Sequence, residues 1–352
     1  MAPLDVTLRK LRIKNAIVRN ALCEFFCTAV LMWCGTSVCA QTILTRGKMN
    51  EYVGLALGWG LSLLFAVQLG IRISGAHLNP AVSLFFLTIG RLDFVQFLTY
   101  TFAQMAGGFA GACLTWAMYY EAIDEFDKGT RMMSGPMATA GIFTTFPAPY
   151  LSVCGHIVDQ LLGTAFLVVC VGAVADKRNQ VPVWIQPLLI SLALTLIGLA
   201  FSMNAGYAIN PARDLSPRLA CLVFGYPPKV FTAYNNAAWV PAVIPMVGAV
   251  LGGWVYTLWI GIQLPDTPED VNARLPPSLR QPLAAHLPPP PLAVAEESTG
   301  TFSNENAAHP SSAGPQASSA LTSRRSGHGE LPNALITAHS FTVEFIPHEE
   351  EK

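Results

Sequence analysis

Residues 74–83 read SGAHLNPAVS, and residues 204–218 read NAGYAINPARDLSPR. Each stretch contains the triplet Asn-Pro-Ala, which begins at Asn79 in the first and at Asn210 in the second. Both triplets lie next to apolar runs that are long enough to cross a lipid bilayer. Because the same polar triplet occurs twice in an apolar chain, we predict two equivalent structural units that share a functional site.

The composition of the chain excludes an ordinary soluble domain. Of the 352 residues, 52% are hydrophobic and 12% are charged, whereas soluble domains carry about 25% charged residues. We therefore predict a membrane protein whose apolar surface contacts the lipid bilayer. The net charge of −1 gives no basic bias of the kind that nucleic-acid binding needs. The cysteines form no CxxC pair and most lie in apolar runs, so we expect them to be buried apolar residues and predict no metal site. We also predict no cofactor.

Apolar runs predict the membrane topology. Two short segments, 79–89 and 210–220, begin at the triplets. Six other runs reach the roughly 20 residues that a membrane-spanning helix needs, and they cover approximately 20–44, 52–71, 95–120, 156–175, 184–203 and 238–262. The prediction is an all-α membrane protein with six transmembrane helices and two re-entrant half-helices.

The distribution of basic residues predicts the orientation. Five Lys or Arg residues precede the first span, and Arg91, Lys177 and Arg178 lie in loops that an even number of crossings puts on the same side. Because cytoplasmic loops are enriched in Lys and Arg, we expect both termini in the cytoplasm. The domain prediction is a cytoplasmic segment at 1–19, a membrane domain at 20–264 with halves at 20–120 and 156–264, and a disordered cytoplasmic tail at 265–352.

An internal repeat relates the two halves. CEFFCTAVLM at 23–32 is similar to DQLLGTAFLV at 159–168, and QMAGGFAG at 104–111 is similar to PMVGAVLG at 245–252. With three spans in each half, the second half must enter the membrane from the opposite side. This is an inverted repeat, whose site is expected near the bilayer midplane, between the halves.

Each Asn-Pro pair predicts the start of a half-helix, because Asn is a favoured N-cap and Pro a favoured first residue. About 11 residues span roughly 16 Å, half of the hydrocarbon core. The two positive N-terminal ends would meet at the midplane, where they disfavour cations and protons. Asn79 and Asn210 would donate hydrogen bonds to a passing solute. The acceptors would be the backbone carbonyls of the preceding irregular segments, at Gly75, Ala76, His77, Gly206, Tyr207 and Ala208.

These motifs resemble the major intrinsic protein (aquaporin) family, over residues of about 18 to 264. The resemblance implies an aquaporin-like right-handed bundle, a channel without enzymatic activity and a homotetramer, most naturally in the plasma membrane. NPARD, with Asp214 and the basic Arg218 that follows, is similar to the glycerol-conducting aquaglyceroporin branch. Pro241-Ala242 and the long connection at 134–149 are similar to the same branch. The implied solutes are glycerol, water and other small neutral molecules such as urea.

The resemblance also implies a selectivity filter of four residues. Carried over by position, it consists of Trp59, Gly198, Tyr207 and Arg213, in which Gly198 would leave room for a three-carbon polyol. Behind the re-entrant segments the family has two glutamates; Glu24 matches the first, whereas the second position is Gln160. His77 would hold its loop through backbone contacts and is also a candidate proton-sensitive group.

Three other functions remain open on the sequence. A water-selective channel would be expected to have a histidine at the position of Gly198. A coupled secondary transporter also uses inverted repeats and broken helices, and Glu24 and Asp159 are the buried acids it could use. An adhesion protein with a closed pore would conduct no solute.

Overall fold

The computed structural model describes residues 8–276, and this part of the chain is helical without an assigned strand. Its helices are α1 (Ala16–Leu44), α2 (Tyr52–Gly70), α3 (Pro80–Thr88), α4 (Phe94–Asp127), α5 (Val153–Ala175), α6 (Gln186–Ala205), α7 (Pro211–Val223), α8 (Lys229–Asn236), α9 (Trp239–Trp259) and α10 (Pro268–Arg274). The two half-helices, α3 and α7, have 9 and 13 residues.

Five of the described helices, α1, α2, α5, α6 and α9, are long and apolar enough to cross a membrane. Helix α4 has 34 residues, which is ample length, but it carries Gln96, Gln104 and several Gly and Thr residues that lower its mean hydropathy. Its N-terminus is fixed by a capping box between Asp93 and Gln96. The six predicted spans are therefore six long helices, one of them less apolar than the rest.

The two halves pack in the same way. Helix α1 packs on α4 in the first half, and α5 packs on α9 in the second. Each half-helix crosses to the other half, since α3 packs on α9 and α7 packs on α4. The structure therefore has the inverted three-plus-three arrangement that the repeat predicts.

Matching glycines make close contacts with backbone carbonyl oxygens within each half. A Cβ atom on Gly107 would lie 2.3 Å from the carbonyl oxygen of Phe25, and one on Gly248 would lie 2.5 Å from that of Leu161. One turn later, Gly111 and Gly252 approach the carbonyl oxygens of Ala29 and Ala165 in the same way, at 2.5 and 2.2 Å. The aligned positions of the repeat thus have aligned contacts, because small residues let two helix backbones approach closely.

The predicted tail boundary needs a correction. Residues 268–274, which the composition assigned to the disordered tail, form helix α10. Thr267 caps this helix in a capping box with Asp270, and Arg274 forms an ion pair with Asp266. These local side-chain contacts stabilise the start of the short helix and join its last turn to the segment before it. The remainder of the predicted tail lies outside the described residues.

Candidate pore and selectivity site

The two triplets meet at the centre of the structure. The side-chain nitrogen Nδ2 of Asn79 donates to the carbonyl oxygen of Ile209 at 3.0 Å, and Nδ2 of Asn210 donates to that of Leu78 at 2.8 Å. The side-chain oxygens cap their own helices, accepting from the backbone N–H groups of Ala81 and Ala212, both at 2.9 Å. Since each Nδ2 carries two hydrogens, each asparagine keeps one hydrogen for another acceptor.

The segments before the triplets have unusual and matching backbone conformations. Ala76 and Tyr207, three residues before the asparagines, have φ angles of 50° and 39°. Leu78 and Ile209, one residue before them, have φ angles of 55° and 40°. Such left-handed conformations are rare outside glycine, and strained backbone of this kind is concentrated at functional sites.

The buried side chains behind the two segments differ, as their residue types predict. Glu24 Oε1 accepts from the hydroxyl of Ser74 and the backbone N–H of His77, at 2.6 and 2.9 Å. Its Oε2 accepts from the backbone N–H of Leu78 at 2.8 Å and from Gln104 at 2.9 Å. Gln160 Oε1 accepts from the backbone N–H of Ile209 alone among the described contacts, at 2.9 Å. The first segment is therefore held by more bonds than the second.

His77 is held by a side chain rather than by the backbone contacts expected for its ring. Its Nδ1 lies 3.1 Å from the hydroxyl of Ser83, and its ring stacks on Phe86 at 4.6 Å between centroids. Its backbone N–H donates to Glu24. The ring thus stabilises the start of α3, while the residue also lines the cavity described next.

Two cavities approach each other through the interior. The large cavity, of about 500 Å³, runs from Arg91 and Lys177 past both triplet asparagines. The small cavity, of about 280 Å³, lies on the side of Tyr52 and Thr144. Both are lined by Trp59, Tyr207 and Arg213. These three side chains stand where the two cavities meet, so a solute passing from one to the other would contact them. Of the predicted backbone acceptors, the large cavity is lined by Gly75, Ala76, His77, Tyr207 and Ala208, and the small one by Gly206.

Arg213 is fixed in place at this junction. Its guanidinium carbon lies 4.4 Å from the centre of the Trp59 ring, a cation–π geometry. Its Nη1 donates to the carbonyl oxygen of Phe143 at 3.1 Å. The side chain is 8% exposed, and these contacts leave other N–H groups of the guanidinium, which has five donors, for a solute hydroxyl.

The structure changes the interpretation of Gly198. This residue does not occur among the lining residues of either described cavity. A Cβ atom at this position would lie 3.1 Å from Cζ and 3.2 Å from the hydroxyl oxygen of Tyr207. Gly198 therefore makes room for the Tyr207 ring and for Ala56, whose Cβ would also lie 3.1 Å away. Its carbonyl oxygen accepts from the hydroxyl of Tyr52.

Asp214 and Arg218 act as a buried structural pair and do not line either described cavity. Asp214 Oδ1 accepts from Arg218 Nε and Nη2 at 2.9 and 2.7 Å, and both residues are at most 2% exposed. Oδ2 of Asp214 accepts from the hydroxyls of Thr144 and Thr145 and from the backbone N–H of Thr145. Arg218 also donates to the carbonyl oxygens of Thr145 and Val230. The pair thereby ties the long connection before α5 to the second half-helix.

The sequence did not identify four residues that contribute to the site. Phe143 supplies its carbonyl to Arg213, Thr144 and Tyr52 line the small cavity, and Cys39 accepts a hydrogen bond from Trp59. Nothing in the local sequence marks these residues, since each lies in an apolar run or a long connection. Only their partners across the chain make them part of the site.

Comparisons with known proteins agree with this architecture. The Major intrinsic protein family profile matches residues 11–256. The chain is 38% identical over 267 residues to aquaporin-9 of Mus musculus, covering 76% of this chain and 90% of that protein. It is 37% identical over 269 residues to aquaporin-10 of Homo sapiens, covering 76% and 89%. Among solved structures, the aquaglyceroporin from Plasmodium falciparum matches with a TM-score of 0.64 and 30% identity, covering 70% of this chain and 98% of that one.

Proposed function

The chain belongs to the major intrinsic protein family, and we propose that the junction of its two half-helices is the selective centre of a passive channel for glycerol and water. The observation that carries this proposal is the reciprocal bonding of Asn79 and Asn210 beside a cavity that ends at Trp59, Tyr207 and Arg213. The relatives named aquaporin and the solved aquaglyceroporin support a channel for these solutes.

The side chains at the junction suit a small polyol. Trp59 and Tyr207 provide an aromatic wall for the carbon chain, and Arg213 provides donors for hydroxyl oxygens on another side. Beyond the junction, the solute reaches Asn79 and Asn210. Each of these amides has one free N–H hydrogen, which can donate to a hydroxyl oxygen of the solute as it passes. The carbonyls of the left-handed segments would accept hydroxyl hydrogens, so the solute exchanges partners without full dehydration. Urea and other small neutral solutes of similar size would use the same groups.

Protons and ions would be excluded at two places. The guanidinium of Arg213 repels cations at the junction, and the N-termini of α3 and α7 converge at the asparagines with their positive dipole ends. Each asparagine uses its oxygen to cap a helix, so towards the cavity it presents a donor. A water molecule between the two amides is thus bound through its oxygen, which interrupts a chain of proton transfer.

We also propose the orientation and the assembly. The large cavity opens beside Arg91 and Lys177, and this basic end supports a cytoplasmic location for it, with both termini in the cytoplasm of a plasma-membrane protein.

Exposed leucines on α2 and α6, such as Leu61 and Leu192, leave apolar faces for lipid or for neighbouring subunits. A homotetramer is the proposed assembly, which the mass of the detergent-solubilised protein would test.

Stopped-flow measurements on purified protein in lipid vesicles test the function. We expect both glycerol and water permeability to exceed those of empty vesicles, with no uphill accumulation of glycerol under a proton gradient. Water flux without glycerol flux would indicate a water-selective channel instead. Accumulation driven by the gradient would indicate a coupled transporter, and no flux of either solute would contradict the channel.

A further inference from the structure

The indole N–H of Trp59 is directed away from the passage. Its Nε1 donates to the sulfur of Cys39 on helix α1 at 3.3 Å. Both residues are buried, with 4% of Trp59 and 6% of Cys39 exposed. Tryptophan has a single hydrogen-bond donor and no side-chain acceptor. Once this donor is bound by Cys39, the part of the ring that faces the junction is carbon.

Helix α1 also shapes the space in which the ring lies. A Cβ atom on Gly35 would lie 2.4 to 2.6 Å from three carbons of the Trp59 six-membered ring. Gly35 and Cys39 are four residues apart, which places them on the same face of the helix. Gly35 therefore leaves space for the six-membered ring of the indole, and Cys39 accepts the hydrogen bond from its nitrogen. Contacts at both ends of the indole thus fix the plane of the ring.

This fixed orientation determines what Arg213 and a solute encounter. The Arg213 guanidinium lies 4.4 Å from the centre of the same ring. Cys39 itself lines the small cavity together with Trp59 and Arg213. A rotated indole would offer its N–H to water or to a hydroxyl and would change the aromatic wall opposite the arginine.

We propose that Cys39 is a positioning residue of the selectivity filter. By accepting the Trp59 N–H, it keeps the indole as an apolar wall and thereby favours a three-carbon polyol over water. The inference rests on the proposed glycerol channel and extends it to a residue outside the four filter positions. Without an acceptor at position 39, the buried N–H would lack a partner, which is unfavourable, and the ring would turn towards the passage.

The matched pair Cys39→Val and Cys39→Thr tests this proposal, because the two side chains have similar shapes and only threonine has an acceptor. The measurement is the ratio of glycerol to water permeability in the same vesicles. We expect this ratio to fall about fivefold in Cys39→Val, the change associated with one lost hydrogen bond, and to stay near the wild-type value in Cys39→Thr. Cys113→Ala is the control; Cys113 is half-buried on α4 and does not line either described cavity.

The ratio separates positioning from a general loss of folded protein, since fewer active channels lower both permeabilities equally. A wild-type ratio in Cys39→Val, or equal ratios in the valine and threonine variants, would overturn the inference while leaving the channel function intact. Should either variant fail to fold, Cys39→Ala and Cys39→Ser form the second pair, with the same expectation. Absence of glycerol flux in the wild type would overturn the proposed function and this inference together.

Discussion

The guanidinium of Arg213 lies 4.4 Å from the centre of the Trp59 ring, although the two residues belong to different halves of the inverted repeat. The first half contributes Trp59 to the aromatic wall of the junction, and the second half contributes Tyr207 and the positive charge of Arg213. A selective passage of this kind therefore needs both halves folded together, and substitutions on either side should change selectivity rather than flux alone.

Replacement of Arg213 should reduce selectivity for glycerol. In Arg213→Ala the junction loses its donors for hydroxyl oxygens and its positive charge. We expect the ratio of glycerol to water permeability to fall about tenfold, as for one lost charge-assisted hydrogen bond, and cation leakage to increase. Vesicle assays of both solutes and of ion leakage measure this. Arg91→Ala is the matched control, because Arg91 is exposed at the far end of the large cavity; equal effects of the two substitutions would contradict the role of Arg213.

Substitution of Gly198 should act through Tyr207. Any side chain at position 198 meets the tip of the Tyr207 ring, so Gly198→His should push this ring into the junction and narrow it. We expect glycerol permeability to fall far more than water permeability, because glycerol is the larger solute. Compared with Gly198→Ala alone, the double variant Gly198→Ala with Tyr207→Phe removes one of the two Tyr207 atoms that the new methyl group would contact, the hydroxyl oxygen at 3.2 Å, and it should recover part of the glycerol flux. Equal losses of glycerol and water in Gly198→His would show that Gly198 does not control the width.

Loss of the Glu24 carboxylate should destabilise the first re-entrant segment. Glu24→Gln keeps one acceptor oxygen where the carboxylate has two, and it places an amide donor next to backbone N–H groups. Because hydrogen bonds to charged groups contribute about 1.5–3 kcal/mol each, we expect a clear decrease in the thermal unfolding temperature in detergent, together with lower flux. Gln160→Met removes the single bond to Ile209 and should cost less. A smaller effect for Glu24→Gln than for Gln160→Met would contradict the difference in support between the two segments.

The Asp214–Arg218 pair should show strong coupling. Removing Asp214 alone leaves a buried guanidinium without its counter-charge, which costs about 3–5 kcal/mol. Replacing both residues, as in Asp214→Leu with Arg218→Met, removes the unpaired charge and should restore part of the stability. Thermal unfolding of the wild type, the two single variants and the double variant measures the coupling. Additive effects of the single substitutions would indicate that the two residues do not act as a pair.

The repeat predicts equal sensitivity at matching glycines. Gly111→Ala and Gly252→Ala each force a methyl group against a backbone carbonyl of the neighbouring helix, at 2.5 and 2.2 Å. We expect both to reduce the yield of folded protein and its unfolding temperature to a similar extent. Gly141→Ala is the control, since the nearest atom would lie at an ordinary contact distance of 3.6 Å. Strong destabilisation by the control, or by just one of the matched pair, would count against symmetric packing.

The sequence by itself determined the spans, the two half-helices and the inverted order of the halves. These features follow from local properties, namely the length of apolar runs, the Asn-Pro helix start and the spacing of repeated residues. The repeated triplets also identified Asn79 and Asn210 as site candidates, the family resemblance added Trp59, Tyr207 and Arg213, and the structure brings all five to the large cavity. The residue types, a carboxylate at Glu24 and an amide at Gln160, predict that the two segments are supported unequally.

Tertiary structure alone decided which side chains hold these groups in position. The acceptor for the Trp59 N–H is a cysteine 20 positions earlier, the space beside Gly198 belongs to Tyr207, and His77 binds Ser83 rather than the backbone. None of these contacts has a periodic or compositional signal. They arise because close packing brings together side chains that are distant in the sequence. A buried donor then bonds to the acceptor that the neighbouring helix provides, and the space beside a glycine is filled by the neighbouring side chain.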